Sequence, residues 1–412
     1  MPDNTLTERA SAVMLTADRQ IDRRILLQAD TLEAAGWIVT IIAMPLDTSA
    51  EDDLRVVRIG TGIAHAKRVN RALEAYRRVR GHLPMNGEIV MCWLERLAWR
   101  YLIDQPLFYT RLFYDTVLRY SPSVFVAHDL PMLSVAKQAA KACGAKLVYD
   151  SHELFSEQEF SEREKRRWKE VEARDIGACD AVITVNQSIA AELQKRYDLG
   201  TVNVIYNAER TPDTLKRTRR FHETFALSSE KKVLLLQGGL LARRNLEVLV
   251  TAMGHVRDAS VVLAILGDGP FLRKLHARVN SEKLSARVFF HPAVPQNELL
   301  QWTASADAGV IPYQATCLNN YFCTPNKLFE FIAVGLPILA SDLPEIRRIV
   351  KGERIGLVGD TSSPQKLAAL IDDFFSDKPR YLEWRHNLLE VRRRVCWEVE
   401  EKKLLEIYEV LR

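Results

Sequence analysis

Long apolar runs are missing from this chain. Nowhere in its 412 residues do the ~20 uninterrupted apolar residues of a membrane-spanning helix occur, so no span is expected. Cysteine is sparse: Cys92, Cys143, Cys179, Cys317, Cys323 and Cys396 are scattered without a C-x-x-C pair or metal-ligand spacing. That argues against a disulfide framework and for reduced thiols. The first twenty residues, MPDNTLTERASAVMLTADRQ, lack a basic region followed by an apolar run and a small-residue cleavage site, so secretion is not signalled and a cytoplasmic chain is expected. Net charge is also low, +4, which does not suit a dedicated nucleic-acid binder, and no nucleic-acid partner is expected.

What is there is a soluble-enzyme composition, 47% hydrophobic and 27% charged, over a length that suits two domains. Short β-branched runs alternate with amphipathic helical stretches, the pattern of parallel sheets covered by helices on both faces. A first series of strands is expected at 11–17, 37–45, 54–60, 123–129, 146–152, 181–186 and 201–207, and a second at 232–239, 261–269, 287–294, 308–313, 336–342 and 355–360. The polar stretch Ala208 to Lys232, with Pro212, reads as the crossing between them. The expected fold class is therefore α/β, two doubly wound Rossmann-like domains facing across a cleft. Their boundaries fall at 1–207 and 208–385, with a helical tail at 386–412 that returns to the first domain. Ligands of such sheets bind outside the carboxyl ends of the strands.

At those ends lie residues suited to holding anions. LLLQGGLLARRNLEVLV puts Gly238 and Gly239 where a strand stops, then Arg243 and Arg244, then a helix. Glycines let backbone amides approach a phosphate, a helix N-terminus adds partial positive charge, and Arg grips phosphate oxygens bidentately. Gly267, Asp268 and Gly269 end the next strand as a tight turn or a ligand contact. In TPNKLFEFIAVGLPILASD, Thr324 is the expected N-cap and Pro325 the first residue of a helix over 324–335 that carries Asn326, Lys327 and Glu330.

In the first half, His128 and Asp129 end one strand, and Asp150, His152 and Glu153 end the next. Two histidines flanked by carboxylates at successive strand ends mark a candidate site. Asp18, Arg19, Asp22, Arg23 and Arg24 follow the first strand, either as a solvated helix start or with Arg23 or Arg24 on a phosphate. Between Lys67 and Arg80 stand six Lys or Arg against one Glu, followed by an aromatic-rich stretch. Residues 67–113 are either two helices with a solvated basic face or a peripheral contact with anionic membrane.

On the residues Arg244, Gly267 to Gly269 and the run Glu330 to Ser341, the second half resembles the donor domain of retaining GT-B glycosyltransferases of family four, the type that builds bacterial polysaccharides and glycolipids. The match to an E-A-x-A-x-G-x-P-x-[VI]-A-[ST] pattern is its most specific part. The resemblance implies a nucleotide-diphosphate sugar as donor and co-substrate, a glycan or lipid-linked hydroxyl as acceptor, retention of anomeric configuration, and no cofactor. It places Arg244 on the donor diphosphate, Glu330 on the nucleotide ribose and His128 beside the reacting carbon; Arg23, Arg24, His152 and Glu153, by their places after strands of the first half, are expected on the acceptor side. The departures include Gly239, which stands where the family has an Arg, for which Arg243 is a substitute, and Phe322, which stands where it has the first Glu of E-x7-E. With no D-x-D motif, Arg244, helix N-termini and Lys327 are expected to replace a metal at the leaving phosphate. Two other readings fit the same residues, a GT-B-fold nucleotide-sugar epimerase and a non-catalytic subunit of a glycosyltransferase complex.

Overall fold

The computed structural model describes residues 9–45, 53–59, 103–212 and 218–412. The chain forms two compact units. One gathers the chain up to Val185 with Ile189–Val204 and Lys403–Arg412; the other holds Asn186–Ser188 and Ile205–Lys402.

In the first unit seven strands lie in the order β3-β2-β1-β4-β5-β6-β7. They are β1 (Ser11–Thr16), β2 (Ile38–Ala43), β3 (Val56–Arg58), β4 (Val124–His128), β5 (Lys146–Ser151), β6 (Ala181–Thr184) and β7 (Asn203–Val204). All neighbours are parallel. β4 is buried along its whole length, as a strand covered on both faces must be. The helix Leu130–Cys143 follows it, with proline in its first turn and Gly144 closing it at φ 76°.

The second unit has six parallel strands in the order β10-β9-β8-β11-β12-β13: β8 (Lys232–Gln237), β9 (Val261–Leu266), β10 (Val288–His291), β11 (Ala308–Ile311), β12 (Ile338–Ser341) and β13 (Gly356–Gly359). Alternation along β8 feeds two cores. Val233 and Leu235 pack with Phe329, Phe331 and Ile346 on one face; Leu234 and Leu236 pack with Leu249, Leu275 and Phe374 on the other. Each expected apolar run contains one strand, shortened at its polar ends.

Two local expectations are corrected. The helix expected over 324–335 is Asn326–Ala333, and Pro325 is its cap residue at φ −67°, ψ 142°, without a side-chain cap bond. Thr324 does not cap it. Its hydroxyl accepts instead from the Asn186 amide at 3.3 Å. The helical tail is interrupted: Lys378–Arg394 stops, and Trp397–Leu411 restarts after Val395 and Cys396. Within the first unit Tyr408 sets its ring edge-on to Trp37, centroids 5.4 Å apart.

In both sheets the strand order reverses next to the first strand of its series, between β1 and β4 and between β8 and β11. These switch points, where successive crossovers go opposite ways and leave a crevice, are where ligands of such sheets bind.

Candidate functional site

At the first switch point, β4 delivers His128 and β5 delivers Asp150 in register beside it. Asp150 is fully buried and is held by the start of the helix Arg23–Ala34. Arg24 donates from Nε to Oδ2 at 2.9 Å and from Nη2 to Oδ1 at 2.8 Å, and Gln28, one turn on, donates to Oδ2 at 2.6 Å. Asp22 caps that helix by accepting from the Arg24 amide at 2.7 Å. Burial alone would push the Asp150 carboxyl up, but the Arg24 guanidinium and the two histidines hold it well below the usual carboxylate range.

This corrects the reading of Arg24. It is not a solvated residue but a 2% exposed ion-pair partner of Asp150. Its Nε–Nη2 edge is committed to the Asp150 carboxylate. Arg23, its half-buried neighbour, is the first residue of the helix.

His128 is 1% exposed, with Nδ1 3.1 Å from His152 Nε2 and 3.4 Å from Asp150 Oδ2. Its Nε2 is buried and has no hydrogen-bond partner. Burial pushes the His128 ring down from the ordinary histidine value. His152 goes the other way: burial opposes its charge, but Asp129 and Asp150 outweigh that and raise it to about 9. His152 Nδ1 lies 3.4 Å from Asp129 Oδ2, and its amide donates to Asp129 Oδ1 at 2.9 Å. Burial, with Glu153 and Asp18 nearby, pushes the Asp129 carboxyl up to about 7 against the pull of His152.

Asp129 sits at φ 62°, ψ 164°, a backbone region all but reserved for glycine. The turn from β4 into its helix is strained at that residue and pinned by the Asp129 amide on the Asp150 carbonyl, 2.9 Å. Glu153 lies at the edge of this group, accepting from the Gln158 side chain. His128, Asp150 and His152 bring ligand atoms within 4.8 Å of one another. The Asp150 oxygens in that trio are already taken by Arg24 and Gln28.

At the second switch point Gly238 and Gly239 follow β8. Arg244 folds back so that Nη1 donates to the Gly239 carbonyl at 3.0 Å, and its guanidinium lies 5.6 Å from the centroid of the Tyr313 ring. Lys327, 6% exposed, sets Nζ 5.1 Å from the same centroid. A side chain on Gly238 would meet Lys327 at 3.9 Å. Two cations thus share one aromatic ring beside the glycine pair. Arg243 is exposed and left-handed, φ 68°. Where Gly239 leaves out a cation, Lys327 rather than Arg243 stands against the glycines.

Gly267 to Gly269 joins two loops. A Cβ on Gly267 would lie 2.1 Å from the Gly238 carbonyl oxygen, and one on Gly269 2.4 Å from that of Leu240. The loops are stitched by Gly238 N to Leu266 O, 2.9 Å, and Leu240 N to Asp268 O, 2.8 Å. Asp268 accepts from the Ala293 amide at 2.9 Å. Both glycines are explained by this backbone contact.

Glu330 is 9% exposed and accepts from the Gln237 side chain, whose oxygen takes the Thr303 hydroxyl at 2.9 Å. Asn326 accepts from Asn207 at 3.1 Å. Gln28, Tyr313 and Gln237 were not anticipated. Gln237, a polar residue closing the apolar run KVLLLQ, carried a visible signal; Gln28 carried a fainter one, one turn from Arg24. Tyr313 carried none. Most of the basic and aromatic stretch 67–113 lies outside the described residues; its last part is in the helix Gln105–Val117. No helix among the described residues is long and apolar enough to cross a membrane.

Comparison with known proteins fits this arrangement. Residues 21–208 match the model described as Glycosyltransferase Family 4, and residues 218–390 the model described as Glycosyl transferases group 1. The D-inositol 3-phosphate glycosyltransferase of Paenarthrobacter aurescens is 24% identical, over 57% of this chain and 59% of its own. The chitobiosyldiphosphodolichol beta-mannosyltransferase of Candida albicans is 23% identical, over 47% and 45%. The chain spans about half the length of the curated relatives it matches. Among solved structures, sucrose-phosphate synthase from Thermosynechococcus elongatus superposes at a TM-score of 0.74 with 18% identity, covering 98% of this chain and 99% of that one. Anabaena HepE in complex with UDP and glucose gives 0.71 with 14% identity, covering 98% and 100%. The fold is GT-B, and with both halves matched the chain belongs to the family-four, group 1 glycosyltransferases.

Proposed function

We propose that this glycosyltransferase moves a sugar from a nucleotide-diphosphate sugar to a hydroxyl of a glycan or lipid-linked acceptor, with retention of configuration and without a metal ion. The observation that carries the reading is the pair of cations, Arg244 and Lys327, held over Tyr313 beside Gly238 and Gly239. Sugar transfer from a diphosphate builds negative charge on the leaving phosphate, and preorganised cations there are the largest catalytic demand. The N-terminus of the helix Asn326–Ala333 adds partial positive charge at the same place. Glu330, oriented by Gln237, is the proposed acceptor of the ribose hydroxyls. In the first unit, His128 is the proposed contact to the substrate, with Asp129 beside it. Arg23, His152 and Glu153 support the acceptor side, and Arg24 acts there through Asp150.

A lipid-linked acceptor accords with Leu107, Phe108, Tyr114 and Leu118, exposed on and just beyond the helix Gln105–Val117. The proposed location is the cytoplasmic face of a membrane, with peripheral contact through 67–113.

A thermal-shift screen of nucleotides and nucleotide-sugars tests the donor, since a selective ligand stabilises the folded state. The expected result is stabilisation by one nucleotide family, followed by transfer that persists in chelator and yields product of unchanged anomeric configuration. Absence of any nucleotide-dependent shift in the folded protein would sink the reading. Conversion of the sugar-nucleotide without acceptor into an epimer would replace it.

A further inference from the structure

We propose that His152 is a positioning residue whose ring holds His128 in the tautomer protonated on Nε2, so that the first unit offers one fixed N–H donor to an acceptor oxygen of the substrate. That the oxygen belongs to a sugar rests on the transferase reading; the tautomer itself does not.

Counting donors and acceptors leads there. Asp150 Oδ2 accepts from Arg24 Nε and Gln28 Nε2, which fills its two lone pairs, while Oδ1 takes Arg24 Nη2. His128 Nδ1, 3.4 Å from Oδ2, is too distant for a third full bond there and lies closer, 3.1 Å, to His152 Nε2. His152 faces a carboxylate through Nδ1, and the two nearby negative charges favour its doubly protonated ring. It must then donate from Nε2 as well; Asp150 Oδ2 lies 3.4 Å from that nitrogen but is already taken by Arg24 and Gln28, and His128 Nδ1, closer at 3.1 Å, is the acceptor in place. Burial keeps His128 neutral. A neutral imidazole that accepts at Nδ1 carries its proton on Nε2.

That nitrogen is fully buried and has no partner. A buried donor without an acceptor is a standing cost, which a ligand oxygen removes. The strained turn at Asp129 keeps the pair in register, because its carboxylate takes the His152 amide and faces the His152 ring. Around the two rings stand Asp129 and Asp150, with Arg24 and Gln28 from the first helix on Asp150; Asp18 after β1 and Glu153 after β5 act on Asp129, and Tyr408 from the last helix lies in the field of Asp150 and Arg24. Within this set only His152 is placed to donate to His128 Nδ1.

The test uses the full chain labelled with 15N-histidine, the His128 signals being identified by their loss in His128→Gln. The expected result is a proton on Nε2 and none on Nδ1, unchanged from pH 6.5 to about 8. A proton on Nδ1, or a charged His128 ring, overturns the proposal. So does a shift of these signals with added Zn2+ or Mn2+ accompanied by higher activity, which would make the cluster a metal site.

A kinetic arm separates positioning from packing. Both His152 variants alter an acceptor-side residue, so the readout is their difference: His152→Gln still offers an N–H to Nδ1, whereas His152→Glu offers only an acceptor, drives the proton to Nδ1 and is expected to have a kcat about 10-fold or more below that of His152→Gln. Equal losses in both folded variants overturn the proposal. If the wild type transfers no sugar, the transferase reading fails, and the tautomer measurement still decides this one.

Discussion

Arg24 and Asp150, 126 residues apart, form a bidentate ion pair in which neither side chain is more than 1% exposed. Removing one partner leaves an uncompensated buried charge. Arg24→Met is therefore expected to destabilise the protein by about 3–5 kcal/mol, and the double change Arg24→Met with Asp150→Leu by clearly less than the two single losses added. Denaturant unfolding of the four proteins in the cycle measures this. Simple additivity would show that the pair is not coupled.

Stability should fall between pH 7 and 9. The folded state favours charged His152, whose value is raised from 6.5 to about 9. Its contribution is complete below about pH 6.5 and is lost as pH climbs through 9, on the order of 3 kcal/mol. Asp129, raised to about 7, acts in the same direction at lower pH; Asp150, depressed, matters only under acid conditions. His152→Gln should flatten the alkaline limb of unfolding free energy against pH. A limb unchanged by that substitution assigns it to another group.

Gly267→Ala and Gly269→Ala should each cost more than about 1 kcal/mol, because the new methyl meets a backbone carbonyl and the φ values, 151° and 155°, disfavour a side chain. Gly239→Ala has only Arg244 Nη1 at 3.7 Å and should change stability by less than about 0.5 kcal/mol. Thermal melts compare the three. Equal losses would mean that the two loops do not rest on each other as described.

Tyr313→Leu should weaken nucleoside diphosphate binding by about 5- to 30-fold through loss of the ring beneath both cations, while Tyr313→Phe keeps it. Calorimetric titration at two ionic strengths gives the readout, with a flatter salt dependence in Lys327→Met. Undiminished affinity in Tyr313→Leu would remove the ring from the donor site.

The strands were legible because each is a short, nearly all-apolar run, the mark of a sheet covered on both faces. The glycine pair with its basic loop was legible too, being contiguous in sequence. What stayed hidden depends on partners far along the chain. Arg24 read as a solvated helix start or a phosphate contact because it stands among charges, and only β5, brought alongside β4, supplies Asp150. The Gly267–Gly269 turn looked as much like a ligand contact as a structural turn, and only the proximity of Gly238 and Leu240 favours the second. Thr324 looked like a cap, but the proline after it takes that position with its extended ψ. Tyr313 follows a strand in IPYQ, and nothing in that tetrapeptide announces two cations from elsewhere.

The last ten residues, Lys403–Arg412, cluster with the first unit, and Tyr408 packs on Trp37 there. In synthesis order, the half of the protein made first is thus the half completed last. During translation most of the second unit precedes the last helix, while Trp37 waits for Tyr408 to leave the ribosome. Expression of the first unit as one continuous fragment therefore leaves it open, whereas a circular permutant that joins the last helix ahead of β1 would supply every piece in a single stretch.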